Sequence, residues 1–284
     1  MAEFGLRHVR VPGTPAIAYT EMGEGTPLVF LHGIGGNSSN WTDQQIYFAA
    51  RGYRAVAWDA RGYGDSDDYE GAFEFSEVAE DLRRLLNHLG TERAFFVGLS
   101  MGGRILMDFA FRHPGCVTAL AICGAFPSFD KSLSASQRAS FIELRRRPLM
   151  EGRSFSELAP DLVTSLLSPL APDAVRRRVA ASICRLRRDS YLKALEAAES
   201  FDRSGEIGEI RLPVLLVYAE QDRLASPLLG KQVADRIPGA RLTLIPDAGH
   251  LMNIEAPEAF NRAVGEFLDS LRGHDQPGEL RCGP

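Results

Sequence analysis

The 284 residues predict an α/β protein: a mostly parallel central sheet flanked by helices and interrupted by a helical insertion. Three observations carry this. Short apolar runs alternate with stretches in which apolar residues recur every three or four positions, the rhythm of strands joined by crossover helices. Runs such as Leu28-Val29-Phe30-Leu31 and Val214-Leu215-Leu216-Val217 are apolar at every position, as suits strands covered on both faces. A third run passes through Phe95-Phe96-Val97 into Gly98-Leu99-Ser100-Met101-Gly102 and then a helical pattern, a G-x-S-x-G turn set between a strand and a helix.

Taken in order, strands are expected at 16–21, 28–31, 55–58, 94–97, 117–123, 214–219 and 241–245, and helices at 40–51, 76–89, 101–113, 227–236 and 257–271. The helix from Met101 stops ahead of Pro114, which cannot continue it. Between 126 and 205 no strand is legible; the pattern is several helices broken at Pro148, Pro160, Pro169 and Pro172. The expected division is therefore a core of 1–125 and 206–272, an insertion of 126–205, and a C-terminal tail of 273–284.

Composition narrows the functional classes. At 45% hydrophobic residues the chain buries a large core, and a formal charge of −5 provides no basic footprint for nucleic acid. No apolar stretch is long enough to cross a bilayer, and the opening Met-Ala-Glu-Phe-Gly-Leu-Arg lacks a signal peptide's apolar run, so a cytoplasmic location is expected. The four cysteines, Cys116, Cys123, Cys184 and Cys282, have neither C-x-x-C pairing nor metal-ligand spacing and read as reduced thiols. The insertion departs from the overall balance, with 14 basic against 10 acidic residues. Those charges are either solvated helix faces or a mildly positive cover that draws in an anionic substrate.

Ser100 is the centre of the chemistry. A residue at such a turn sits in a strained backbone conformation, and Gly98 and Gly102 let strand and helix approach without a Cβ clash. A serine hydroxyl is a poor nucleophile at neutral pH, so it needs a general base, and the base needs a carboxylate to fix its tautomer. Of six histidines, His250 lies in a loop after the last strand, while His8, His88, His113 and His274 sit outside the core, near helix ends or in the tail. Asp222 follows strand 214–219, at a strand's C-terminal end, where open α/β sheets hold their sites. Its rivals are Glu220, which continues the strand directly, Asp247, which suits the turn before His250, and Asp130. Charge developing on an acyl oxygen would be met by the backbone N–H groups of Met101 and of Ile34, the latter in the glycine-rich loop His32-Gly33-Ile34-Gly35-Gly36. His32 is expected to tie that loop down through its ring nitrogens.

With these segments in view, the chain resembles the α/β-hydrolase superfamily from about residue 16 to residue 271, with the insertion in the place of the family's lid. The residues that carry the resemblance are His32-Gly33-Ile34-Gly35-Gly36, Asp59-Ala60-Arg61-Gly62-Tyr63-Gly64-Asp65-Ser66, Gly98-Leu99-Ser100-Met101-Gly102-Gly103, Asp222 and Gly249-His250. The resemblance implies that Arg61 and Ser66 are scaffold residues. Serine at the nucleophile position departs from the dehalogenases and epoxide hydrolases, which use aspartate. Leu99 and Leu251 stand where the carbon–carbon hydrolases of ring-cleavage products carry asparagine and tryptophan. Gly-Leu-Ser-Met-Gly-Gly, His-Leu-Met-Asn-Ile-Glu-Ala-Pro-Glu and Trp41-Thr-Asp-Gln-Gln are similar to the 3-oxoadipate enol-lactonases, a likeness shared with arylesterases and cofactor-free haloperoxidases.

The expected activity is thus serine hydrolysis of a carboxylic ester or lactone, an enol-lactone in its sharpest form, with no metal or organic cofactor. Carbon–carbon hydrolysis and a slow-turnover small-molecule receptor are the alternatives. The expected partner is a small ester or lactone; the oligomeric state is open. Arg104, four residues beyond Ser100, is a candidate for holding a substrate carboxylate, or else snorkels or pairs elsewhere. Trp41, Phe126 and Met150 are candidates for an apolar pocket.

Overall fold

The computed structural model describes residues 5–272. Eight strands form one sheet in the order β1-β2-β4-β3-β5-β6-β7-β8: β1 Arg7–Val11, β2 Ile17–Met22, β3 Thr26–Leu31, β4 Tyr53–Trp58, β5 Ala94–Leu99, β6 Val117–Cys123, β7 Val214–Ala219 and β8 Arg241–Ile245. The first two strands run antiparallel, and β3 to β8 pair in parallel. Strand β1 is not among the expected elements. Its Arg-His-Val-Arg-Val alternates without an apolar run, and it lies at the sheet edge, where only Val11 is buried and only β2 pairs with it.

Alternation along the parallel strands sorts the core into two layers. Val29, Leu31, Val56, Trp58, Phe96, Leu120, Ile122 and Leu216 face α2 (Phe75–Leu89), α3 (Met101–Arg112) and α10 (Pro227–Ala234). Their neighbours Leu28, Phe30, Ala55, Ala57, Phe95, Val97, Ala121 and Val217 face α1 (Thr42–Ala49) and α12 (Pro257–Arg272). Both faces of the sheet are covered, which is why these strands read as unbroken apolar runs.

Between β6 and β7 the chain forms six helices: α4 Phe129–Ser132, α5 Ala135–Arg145, α6 Arg147–Met150, α7 Phe155–Leu166, α8 Asp173–Cys184 and α9 Arg188–Ser200. They have a cluster of their own, built on Phe155, Leu158, Leu162, Val179, Ile183, Tyr191 and Leu195. The two ends of the segment meet in a single antiparallel bridge between Ser128 and Asp202 and a hydrogen bond from Arg203 N–H to the Pro127 carbonyl (2.7 Å). Pro160 does not break a helix, contrary to expectation; it lies inside α7. The bond it forgoes is to the carbonyl of Ser156, an exposed residue, and a Ser154–Glu157 capping box and five buried apolar side chains hold the helix across it. The tail of 273–284, with His274 and Cys282, lies outside the described residues. Of the other cysteines Cys123 is buried and Cys184 exposed, both as free thiols.

The strand-to-helix turn at Ser100 is tightly packed. A Cβ at Gly102 would stand 2.2 Å from the Leu31 carbonyl oxygen, one at Gly98 2.6 Å from the Gly102 carbonyl carbon, and one at Gly103 2.6 Å from the Ala125 methyl. Gly102→Ala gains about 1 kcal/mol of helix propensity but meets backbone that cannot swing aside. The clash wins, and a net loss of about 1–3 kcal/mol is expected in urea unfolding. Gly115→Ala, in open space at an ordinary φ, is expected to stay within about 0.5 kcal/mol of the parent. Equal stability of the two variants would contradict this packing account.

Candidate active site

Ser100 ends β5 and begins α3 with φ 54° and ψ −110°, one of two non-glycine residues with positive φ among those described. Its N–H donates to the Cys123 carbonyl (2.8 Å), and its carbonyl accepts from Arg104 N–H (3.1 Å), so the turn is held from both sides. The side chain enters a cavity of about 400 Å³ enclosed by the sheet's C-terminal edge and the helical segment. Met101 opens α3, where N–H groups have no intrahelical acceptor and the helix dipole is positive. Ile34 and Met101 both line the cavity beside Ser100.

His250 lies in the loop after β8 and its Nδ1 is 2.8 Å from Asp222 Oδ2. The Asp222 side chain is wholly buried, and its Oδ1 accepts from Leu224 N–H (2.8 Å) and Ala225 N–H (2.9 Å), so both oxygens have partners and the carboxylate is fixed in direction. Nδ1 thereby carries the proton, and Nε2 is left as the free acceptor of a ring that lines the same cavity as Ser100. Ser100 Oγ forms no hydrogen bond among the described residues. The rivals of Asp222 stand elsewhere: Glu220 is exposed, Asp130 is 78% exposed and paired with Arg138, and Asp247 takes φ 55° in the turn ahead of His250.

Contacts that the sequence did not announce hold His250 in place. His250 N–H donates to the carbonyl of Leu166, at the end of α7 (2.8 Å). Glu255, in the short helix α11 (Met252–Glu255), accepts from Gly249 N–H (2.9 Å) and Ser168 N–H (2.8 Å). One carboxylate thus joins the histidine loop to the helical segment. Its four-residue spacing from Leu251 is the only sequence signal, and it reads equally well as a solvated helix end.

His32 does tie its loop down. Nε2 accepts from Ala60 N–H (3.1 Å) and Nδ1 donates to the Gly33 carbonyl (2.8 Å), and burial lowers the ring's pKa, favouring its neutral form. Arg61 bonds Asp81 (2.6 Å) and Glu77, and Ser66 bridges the Asp59 carbonyl (2.6 Å) and Ala18 N–H (2.7 Å); both brace the turn of residues 59–66. Trp41 and Phe126 line the cavity and are buried. Met150 does not. It is 60% exposed at the end of α6, because that turn buries its neighbour Leu149 in the helical cluster and directs Met150 outward. Arg104 is buried against the cavity with its guanidinium 4.5 Å from the Phe126 ring centroid and 2.8 Å from the Ala198 carbonyl oxygen.

Known proteins share this architecture. Residues 26–257 match the family described as alpha/beta hydrolase fold. The provisionally named non-heme bromoperoxidase BpoC of Mycobacterium tuberculosis is 30% identical over 270 residues, spanning 90% of this chain and 98% of that protein. The 3-oxoadipate enol-lactonase 2 of Acinetobacter baylyi is 26% identical over 259 residues, 88% of this chain and 91% of the relative. Among solved structures, a thermophilic esterase from Thermogutta terrifontis superposes with a TM-score of 0.83 at 25% identity, covering 93% of this chain and 99% of the esterase. No helix among the described residues is long and apolar enough to cross a membrane. By its sheet order, its strand-to-helix serine turn and its match over residues 26–257, the chain belongs to the α/β-hydrolase fold family.

Proposed function

We propose that the protein is a serine hydrolase of carboxylic esters or lactones, with Ser100 as nucleophile, His250 as base and Asp222 as the group that orients it. The observation that carries this reading is the buried Asp222–His250 pair, whose free nitrogen and the positive-φ Ser100 side chain face one cavity. Ser100 Oγ attacks the acyl carbon as its proton passes to His250 Nε2; the tetrahedral oxyanion lies against the N–H groups of Met101 and Ile34. The alkoxide or enolate leaves with that proton. Water then gives its proton to the same nitrogen and attacks the acyl-enzyme, which releases the acid and restores Ser100. Proton transfer needs Oγ and Nε2 within hydrogen-bond reach, a contact that in sites of this kind commonly tightens when substrate binds.

The apolar walls supplied by Trp41 and Phe126 suit an acyl chain or lactone ring, and Arg104 suits a carboxylate on it. Segment 126–205 serves as a lid that excludes water while the oxyanion forms. Leu99 and Leu251 keep the approaches to the nucleophile and the base apolar, which favours ester or lactone chemistry over carbon–carbon cleavage. The names of the enol-lactonase and esterase relatives agree with this.

Hydrolysis of p-nitrophenyl acetate and butyrate tests the assignment. Ser100→Ala is expected to lower kcat by on the order of 10⁴- to 10⁶-fold, and Asp222→Asn by about 10⁴-fold through the wrong imidazole tautomer. A Ser100→Ala protein as fast as the parent would end the enzyme reading. An enol-lactone offered beside a vinylogous dienone acid separates the bond types: turnover of the lactone is expected, and cleavage of the dienone acid alone would replace ester hydrolysis with carbon–carbon hydrolysis.

A further inference from the structure

Among the described residues, the cavity that holds Ser100 and His250 is lined by three arginines, Arg104, Arg145 and Arg223, and by no aspartate or glutamate. The chain has more acidic than basic residues, and many arginines elsewhere in it find carboxylates. In the helical segment Arg147 pairs with Glu143 and Glu151, Arg178 with Asp43, Arg187 with Asp68 and Arg203 with Asp108. Arg104 and Arg145 are the most deeply buried of the segment's and cavity's arginines, at 7% and 3% exposure, yet neither lies within 4.0 Å of a carboxylate among the described residues.

Their surroundings are alike. Arg104 gives one hydrogen bond to the Ala198 carbonyl (2.8 Å) and stacks on Phe126 at 4.5 Å; Arg145 gives one to Ser165 Oγ (3.1 Å) and stacks on Phe141 at 4.2 Å. Each guanidinium has five N–H donors, so most of this capacity is unused. Burial lowers both pKa values, that of Arg104 to about 10, so it stays charged at neutral pH. A buried charge without a counterion is costly, and a ligand carboxylate that supplies the missing partner gains a charge-assisted, fork-shaped contact. The two cations come from separate elements, α3 and the end of α5; Phe129, whose ring centroid is 5.9 Å from the Arg104 guanidinium, meets Phe141 edge-on at 5.3 Å and so links their aromatic supports.

We infer that this cavity reads two anionic groups on one substrate, one at Arg104 and a second at Arg145, so that the preferred substrate is a dianion of the dicarboxylate type. This deepens the ester or lactone reading above and rests on it for the bond that is cleaved. An ester or lactone with one carboxylate satisfies only one of the two arginines.

Four aryl esters test it: phenyl butyrate (neutral), phenyl hydrogen glutarate and 4-carboxyphenyl butyrate (each a monoanion), and 4-carboxyphenyl hydrogen glutarate (a dianion). The expected kcat/KM is highest for the dianion, by about 10-fold or more over either monoanion. In Arg145→Met the ratio of dianion to neutral kcat/KM falls about 10- to 100-fold, and Arg145→Lys, which keeps the charge without the fork, recovers part of it. Calorimetry on the Ser100→Ala protein with glutarate, adipate, pimelate and suberate against hexanoate reads the same subsites without turnover, and at least one diacid is expected to bind about 10-fold tighter than hexanoate. Ester hydrolysis with no preference for anions, a monoanion preferred to the dianion, or an Arg145→Met protein that slows every ester alike would overturn the inference and leave the ester reading intact. Tight diacid binding without hydrolysis of any ester would do the reverse. Neither binding nor hydrolysis would remove both.

Discussion

The contact on which the molecule turns is the approach of α3 to β3 at Gly102, close enough that a single methyl group would strike the Leu31 carbonyl. It forces the chain to reverse within one residue, and that residue, Ser100, is held in a conformation that costs about 1–3 kcal/mol and persists only because its surroundings over-determine it. Hydrogen bonds on either side of the serine and apolar layers on both faces of β5 supply that support. Two consequences follow from one geometry. The hydroxyl leaves the sheet edge for the cavity, and the next N–H, at Met101, starts a helix with no acceptor of its own.

His250, the proposed base, is positioned by a different logic, that of convergence among loops. Asp222 uses one oxygen to hold its own turn and the other to hold His250, while Gln221 N–H reaches the Ala248 carbonyl (2.9 Å) and binds the loops after β7 and β8 together. Glu255 and the Leu166 carbonyl extend the same scaffold to the end of α7. Helix α7 and the His250 imidazole therefore share anchoring points, so a displacement of α7 is felt at the imidazole. Inside this frame the electrostatics are one-sided: among the described residues, arginines and no carboxylate line the cavity.

Much of this was legible in the residues. Strands buried on both faces announce themselves as apolar runs, and the turn at Ser100 does so through glycines whose absence of a Cβ is a packing requirement. Asp222 and His250 follow from their places after β7 and β8. What was not legible depends on which way a side chain faces. Met150 and Leu149 are adjacent and similar in chemistry, and only the set of the α6 turn decides that Leu149 is buried. Pro160 is tolerated because the carbonyl it orphans belongs to an exposed residue, a fact of tertiary placement. Strand β1 exists because β2 offers it an edge. The net charge of 126–205 was visible, but its meaning was not: arginines such as Arg147, Arg178 and Arg187 pair with carboxylates, whereas Arg145 shares a helical stripe with Gln137, Phe141 and Leu144 that lines the cavity. That spacing was the available signal, masked by the run Arg145-Arg146-Arg147, which resembles a solvated helix end.

The most direct measurement of the central claim is intact-protein and peptide mass spectrometry after brief exposure to an organophosphate such as paraoxon, which phosphorylates a serine only where a base and an oxyanion pocket activate it. The account predicts one stoichiometric adduct on the peptide bearing Ser100, none in Ser100→Ala and markedly slower labelling in Asp222→Asn. Absence of an adduct, or an adduct on another residue that forms equally fast in all three proteins, would contradict it.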